Sequence, residues 1–392
     1  MLSQTRGAGT PCQLVVLQSQ LKFFKTVTTP QEPVDQTTRR ILINVVGDML
    51  KEIPDFALTG LATKARITIT ASSCFERTKR ENGTLEYARE ICLGAHPPLS
   101  IRARVLDLET GETLEMKTLE ECDTVGEYVF WRCLEIVLRT DPGEMREAYL
   151  VMVKEPAKAR SVTKARAALK IVLDFVGKLS AAPIAKTFKS SASGMEKANQ
   201  AWNLFKTLFD EDMKNVLFEV DKVHTTNTRV RGETVLTEEV VFKKLYMSCT
   251  DFETATDYGD HEIIRLIAEL WMRKIGIPKV LRRVVTQTSY APRKIYFTAT
   301  GPLSKIGEPA PSHYGENVRF VVLVRGILMG DPVTKPVLHL LNIAIRKTAT
   351  KIHDSDFYRR AGFTNAKDLA KETVRYARKV RKDARQPSGG RA

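Results

Sequence analysis

Nowhere in the 392 residues is there an uninterrupted apolar run of the roughly 18 residues that a membrane-crossing helix needs. The N-terminal MLSQTRGAGTPCQLVV also lacks the long apolar core of a secretory leader, so no membrane span is expected and the protein is expected inside the cell. Cysteine is sparse as well. The six, Cys12, Cys74, Cys92, Cys122, Cys133 and Cys249, form no CxxC pair, and the six histidines are equally dispersed, so neither a zinc site nor a disulfide framework is indicated. The P-loop pattern GxxxxGK[ST] and the kinase HRD and DFG pair are missing too, which removes those phosphoryl-transfer classes.

What is present is a large excess of positive charge. Lys and Arg number 61 against 46 for Asp and Glu, giving a net charge of +15 and a pI near 9.5. A polyanion, nucleic acid or nucleotide, is the simplest partner for such a surface, although a basic protein that merely stays soluble has the same balance. With 43% apolar residues the chain is long enough to bury a core, and its length fits two or three structural units.

Residues 1–38 read as an arm, because the stretch to about Pro33 mixes Gln, Thr, Pro and Gly. From Arg39 to about Arg139 helical spacing (Ile41, Val45, Val46, Met49) alternates with short β-like runs such as Arg66 to Thr70. Gly111 reads as a turn between two strands. Tyr149 to Val153 reads as a strand leading into a basic segment and a helix from about Ala165. Met195, Ala198, Trp202, Phe205 and Leu208 fall at helical spacing and read as core. Downstream, a strand at Leu245 to Thr250 precedes a helix whose Ile263, Ile267, Leu270 and Trp271 share a face, stopped by Gly276 and Pro278. Further strands at Ile295 to Thr298 and Val318 to Val324 flank a Pro- and Gly-rich loop, and a helix starts near Thr334 with Pro336 in its first turn.

Three segments carry residues with chemistry. In Lys154 to Lys164, the cations Lys158, Arg160 and Lys164 alternate, so an extended backbone points them to one side, a comb suited to a triphosphate. A solvated basic face has the same look. In Asp251 to Asp257, one carboxylate ends an apolar strand and another sits on the following turn. Asp251 suits Mg²⁺ (or Mn²⁺), and Asp257 suits a hydrogen bond from a ribose hydroxyl, unless it merely caps the next helix. In Arg325 to Asn342, Gly330 would let the backbone approach a nucleic-acid strand, and Thr334 at a helix N-terminus offers donors to phosphate or ribose; a structural strand–loop–helix junction would also need a glycine.

In this order EPAKARSVTK, DFETATD and GILMGDPVTKPVLHLLN resemble motifs F, A and B of the RNA-dependent RNA polymerases of narnaviruses, ourmia-like viruses and their levivirus relatives. The likeness spans roughly Tyr149 to His353. It implies an α+β right-hand polymerase fold, with fingers and a partial palm built on an antiparallel sheet flanked by helices, acting in the host cytoplasm on an RNA template with nucleoside triphosphates. On it, residues 39–240 hold the N-terminal region and fingers, 241–356 the partial palm, and 357–392 a basic extension. Lys158, Arg160 and Lys164 would grip the triphosphate, Asp251 would be the first metal ligand, and Asp257, Thr334 and Asn342 would recognise the ribose. Asn342 departs from the pattern of many RNA polymerases, whose Asn follows the Thr by one helical turn, where this chain has Leu338.

Two-metal nucleotidyl transfer needs carboxylates from two places, holding ions about 4 Å apart. Such polymerases supply the second set from a Gly-Asp-Asp hairpin after motif B, and this sequence contains no Gly-Asp-Asp. Asp354 and Asp356 follow a helix and lack a strand–turn–strand setting. On the resemblance the chain is expected to be either a truncated frame or one half of a polymerase divided between two polypeptides, an arrangement like that of some narna-like viruses. The polar ending QPSGGRA after a helix-like run at Asn365 to Arg385 favours division, with a second chain supplying Gly-Asp-Asp. The cations Arg375, Arg378, Lys379, Arg381, Lys382 and Arg385 suit template RNA or that partner, or form a solvated helix face. A non-catalytic RNA-binding or nucleocapsid-type protein is the alternative.

Overall fold

The computed structural model describes residues 11–51, 53, 66–94, 104–106, 113–115, 121–155, 158–188, 220–230, 233–242 and 256–361. In chain order its elements are helices α1 (Gln13–Thr28), α2 (Gln36–Lys51) and α3 (Gly83–Cys92), strands β1 (Arg104–Leu106) and β2 (Thr113–Glu115), then helix α4 (Val125–Arg139) and the single turn α5 (Pro142–Met145). Strands β3 (Glu147–Glu155) and β4 (Lys158–Ala165), helix α6 (Ala167–Thr187), and strands β5 (Val220–Val230) and β6 (Glu233–Phe242) follow. Helices α7 (His261–Ile275) and α8 (Lys279–Thr288), strands β7 (Arg293–Thr298), β8 (Glu308–Pro309) and β9 (Val318–Leu323), and helix α9 (Thr334–Ala361) complete the described chain. It divides into two compact units, Met1–Glu32 with Glu52–Leu340, and Pro33–Lys51 with Leu341–Ala392.

The first unit is α+β, organised on a five-stranded sheet of order β4-β3-β7-β9-β8. The expected antiparallel sheet is in fact mixed: β3 and β7 run parallel, pairing Ala148 with Ile295 and Tyr149 with Tyr296, while the other neighbours are antiparallel. Tight hairpins force antiparallel pairing only between strands joined by short turns. β3 and β7 are separated by α6, α7 and α8, so the chain returns in the same direction. The Tyr149 to Val153 and Ile295 to Thr298 runs are strands as expected, and the basic segment forms β4.

Paired residues point to the same side of a sheet, so the register sorts the side chains. One face carries Ala148, Leu150, Ile295, Phe297, Val321 and Leu323, and helix α1 closes it with Phe23, Phe24 and Val27. Phe24 lies 4.4 Å, centroid to centroid, from Phe297. Each such aromatic burial contributes about 1.5–3 kcal/mol, so α1 is a structural roof on the sheet and not the loosely held arm its composition suggests. The Gln- and Thr-rich flanks hid an apolar face of three buried residues, Phe23, Phe24 and Val27, within five positions. On the opposite face Glu147 is a hub: its carboxylate accepts from the Tyr296 and Tyr314 hydroxyls at 2.9 Å each and from Arg166 at 2.5 Å. Tyr314 stacks on Tyr296 at 4.4 Å, which fastens the Pro- and Gly-rich loop before β9 to the start of β3.

Helix α7 forms where its periodicity predicts, with the buried line Ile264, Ile267, Ala268, Trp271, Met272 and Ile275, one residue offset from the expected face. Gly276 ends it at φ +90°, a conformation open to glycine at little strain. The Arg66 to Thr70 run is not a strand. It satisfies its backbone on helix side chains instead, Thr68 N–H donating to Asp174 at 2.8 Å and Lys178 donating to the Arg66 carbonyl at 2.6 Å. β1 and β2 pair antiparallel on either side of the Gly111 segment. The helix expected at Met195 to Leu208 and the strand at Leu245 to Thr250 lie outside the described residues. Asp354 and Asp356 fall inside α9 rather than after a helix. No helix among the described residues is long and apolar enough to cross a membrane.

In the second unit, α2 buries Leu42, Val45, Val46 and Met49. Its Gly47 sits mid-helix, and among the described residues no atom lies within 4 Å of where a Cβ would stand. Gly47→Ala is therefore expected to raise the unfolding free energy by about 0.5–1 kcal/mol in urea titration, since it adds helix propensity without a clash. A destabilised variant would show that the Gly47 position is tighter than described.

Candidate functional site

The three sequence segments meet at the loop Arg325 to Thr334. At its start Gly326 adopts φ +89°, and a Cβ there would lie 2.9 Å from the Asp257 carbonyl oxygen. Gly326 N–H donates to the Gly259 carbonyl at 2.7 Å, Ile327 N–H donates to the Thr256 carbonyl at 2.8 Å, and His261 Nε2 donates to the Gly326 carbonyl at 2.7 Å. Burial and that acceptor set His261: burial lowers its pKa more than the carbonyl raises it, so the neutral ring with Nε2–H is favoured. The end of the DFETATD segment and the start of the loop are thus joined through backbone.

Further along, Leu328 is buried in the core beneath α1. Gly330 lies so close to β4 that a methyl group would overlap the Thr163 carbonyl oxygen. Asp331 pairs with Arg293, at the start of β7, at 2.5 Å with both side chains fully buried. The Pro332 carbonyl comes within 2.8 Å of where a Gly177 Cβ would stand on α6. Thr334 closes the loop on itself, its hydroxyl donating to the Leu328 carbonyl at 2.7 Å and its N–H to the Asp331 carbonyl at 3.1 Å.

Gly330 is needed for close approach as expected, but the approaching group is strand β4 of the same chain. Thr334 is 4% exposed and has its hydroxyl hydrogen engaged, which makes it a loop-closing residue as it stands rather than an open donor. Lys158, Arg160 and Lys164 do project to one side of β4, on the sheet face away from α1. There Lys158 and Arg160 meet Glu155 of the same hairpin, at 3.7 and 2.8 Å, while Lys164 lies 5.3 Å over the Tyr149 ring. The comb reaches the loop through the β4 backbone at Thr163 and makes no ion pair with Asp257. Asn342 is exposed and belongs to the second unit. Asp251, Arg375, Arg378, Lys379, Arg381 and Lys382 lie outside the described residues.

Asp257 does not cap the following helix; Asp260 does, accepting from Ile263 N–H at 2.9 Å. This leaves the Asp257 carboxylate with the Thr256 hydroxyl, at 3.0 Å, as its hydrogen-bond donor. Burial pushes its pKa from 3.8 up to about 6, against smaller opposing effects of that hydroxyl and of the Lys22 charge. A half-buried carboxylate with spare acceptor capacity and no structural task is suited to receive a hydrogen bond from a ligand. Among the described residues no three His, Cys, Asp or Glu side chains come together as metal ligands.

The sequence singled out Gly330 but not Gly326, Gly177, Arg293 or Asp331. Glycine next to a basic residue after a strand was a local cue to Gly326. Gly177 and Arg293 act across more than a hundred residues of chain and leave no local pattern. Glu155 was also missed, and it bears on the comb directly. Glu155→Gln is expected to tighten binding of inorganic tripolyphosphate, read by titration calorimetry, about two- to threefold by removing a competing carboxylate. Unchanged binding would mark the cations as a solvated face. No protein-family model and no curated protein matches the sequence.

Proposed function

We propose that this chain is the fingers and partial-palm subunit of a viral RNA-directed RNA polymerase, completed by a second chain bearing Gly-Asp-Asp. The observation that carries the reading is the convergence at one loop of segments far apart in sequence. Gly326 lies against Asp257 and Gly330 against Thr163, so the stretches resembling motifs A, F and B are neighbours. On this reading Lys158, Arg160 and Lys164 bind the triphosphate electrostatically, and Asp257 orients the ribose through a hydroxyl hydrogen bond. The loop from Gly326 to Thr334 forms a wall beside Asp257 and abuts the backbone of β4 from the face opposite the comb. Asp251 is the chain's proposed ligand for Mg²⁺ or Mn²⁺, which when bound with the partner's carboxylates would neutralise charge on the transferred phosphate. Template and product RNA are the remaining partners, consistent with the +15 charge.

Asp251→Ala separates this reading from a non-catalytic RNA-binding protein. In the complex with the Gly-Asp-Asp chain, the variant is expected to lose nucleotide incorporation by at least about a hundredfold while keeping its RNA affinity. Undiminished incorporation would remove Asp251 from the metal site.

A further inference from the structure

Arg293 is the most deeply enclosed cation in the described chain, with its side chain at 0% exposure. Its guanidinium serves three elements: it pairs with Asp331 in the loop, and donates to the Arg146 carbonyl after α5 at 3.2 Å and to the Glu147 carbonyl at the start of β3 at 3.5 Å. Glu147 then binds Arg166, which follows β4 immediately. A continuous polar chain therefore runs from Asp331 through Arg293 and Glu147 to the end of the cationic strand.

This chain is poorly built for stability alone. A buried ion pair is seldom more stabilising than an apolar pair of equal volume, and here Asp331 Oδ1 is left without a hydrogen-bond partner. Thr163 Oγ1, on the other side of Gly330, is likewise buried and unpartnered. Departures from full polar satisfaction concentrate where function fixes a geometry. We propose that Arg293 and Asp331 are positioning residues that set the Gly326 to Thr334 loop against the backbone of β4, whose opposite face carries the cation comb, so that the placement of the triphosphate-binding comb depends on the loop. The inference rests on the polymerase reading for its ligand, but not for the mechanical coupling itself.

The test uses the full chain carrying Arg293→Met with Asp331→Leu, an apolar pair of similar volume, and separately Arg293→Lys, which keeps charge but loses the fork. Backbone amide exchange is followed in Leu328 to Thr334 and in Ser161 to Lys164, together with the affinity for a non-hydrolysable nucleoside triphosphate. In both variants the two segments are expected to exchange at least about tenfold faster together while α8 stays protected, and triphosphate affinity to fall about tenfold. Loss of protection everywhere in the double variant would mean general unfolding, and Arg293→Lys then decides. Faster exchange in the loop alone, or unchanged exchange in both segments, would overturn the coupling. If the parent chain binds no triphosphate, the polymerase reading fails, and the exchange result still decides whether Arg293 couples loop and strand.

Discussion

Gly330→Ala is expected to lower the unfolding free energy by about 3 kcal/mol and, in the complex with a Gly-Asp-Asp chain, to reduce nucleotide incorporation about a hundredfold. The added methyl would overlap the Thr163 carbonyl oxygen, and backbone cannot swing aside as the end of a flexible side chain can. Either the loop lifts away from β4 or the strand bends, and each displaces the wall of the proposed site by a fraction of an ångström or more. Urea titration reads the first effect and a steady-state incorporation assay the second. Gly177→Ala meets the Pro332 carbonyl at 2.8 Å and should destabilise in the same sense but less. A Gly330→Ala protein within about 0.5 kcal/mol of the parent would show that loop and strand are not in contact.

Asp257→Asn should do the opposite to stability and the same to activity. Asparagine keeps an acceptor for the Thr256 hydroxyl but removes a carboxylate whose ionised form is penalised by burial. The folded protein holds the Asp257 proton more tightly than the unfolded chain, so the relative stabilisation is fully present below about pH 3.8 and is lost as the pH rises through about 6. At about 1.4 kcal/mol for each pH unit between those values, the penalty above pH 6 is at most about 3 kcal/mol. The variant should therefore be more stable than the parent at pH 7, by about 1–3 kcal/mol, with the difference closing towards pH 4. Incorporation should nevertheless fall, with the main effect on discrimination between ribo- and deoxyribonucleotides. A residue whose removal stabilises the fold yet impairs the reaction is held for function. Equal stability of parent and variant across pH 4–7 would contradict the burial of that carboxylate.

Much of this was legible in the sequence, for reasons that differ by element. Strands β3, β4 and β7 announce themselves through compact apolar or alternating runs, and α7 through its periodicity and its glycine stop. The order of the three segments was readable because each has local character: cations in alternation, carboxylates after an apolar run, glycines before a predicted helix start. What joins them was not. That Gly330 faces Thr163, Gly326 faces Asp257 and Arg293 neutralises Asp331 depends on a sheet in which β3 and β7 run parallel, and the register of non-local strands is not written in any short window. Helix α1 escaped notice because Phe23, Phe24 and Val27 sit in a polar, breaker-rich context, and only the apolar sheet face above which they lie gives them meaning.

The most direct measurement is Mg²⁺-dependent nucleotide incorporation on an RNA template by the full chain, assayed alone and together with a Gly-Asp-Asp-bearing chain from the same source. Incorporation only when both chains are present, abolished by Asp251→Ala, is the expected result. Incorporation by this chain alone would refute the divided active site, and none from the pair despite retained RNA binding would contradict the polymerase assignment itself.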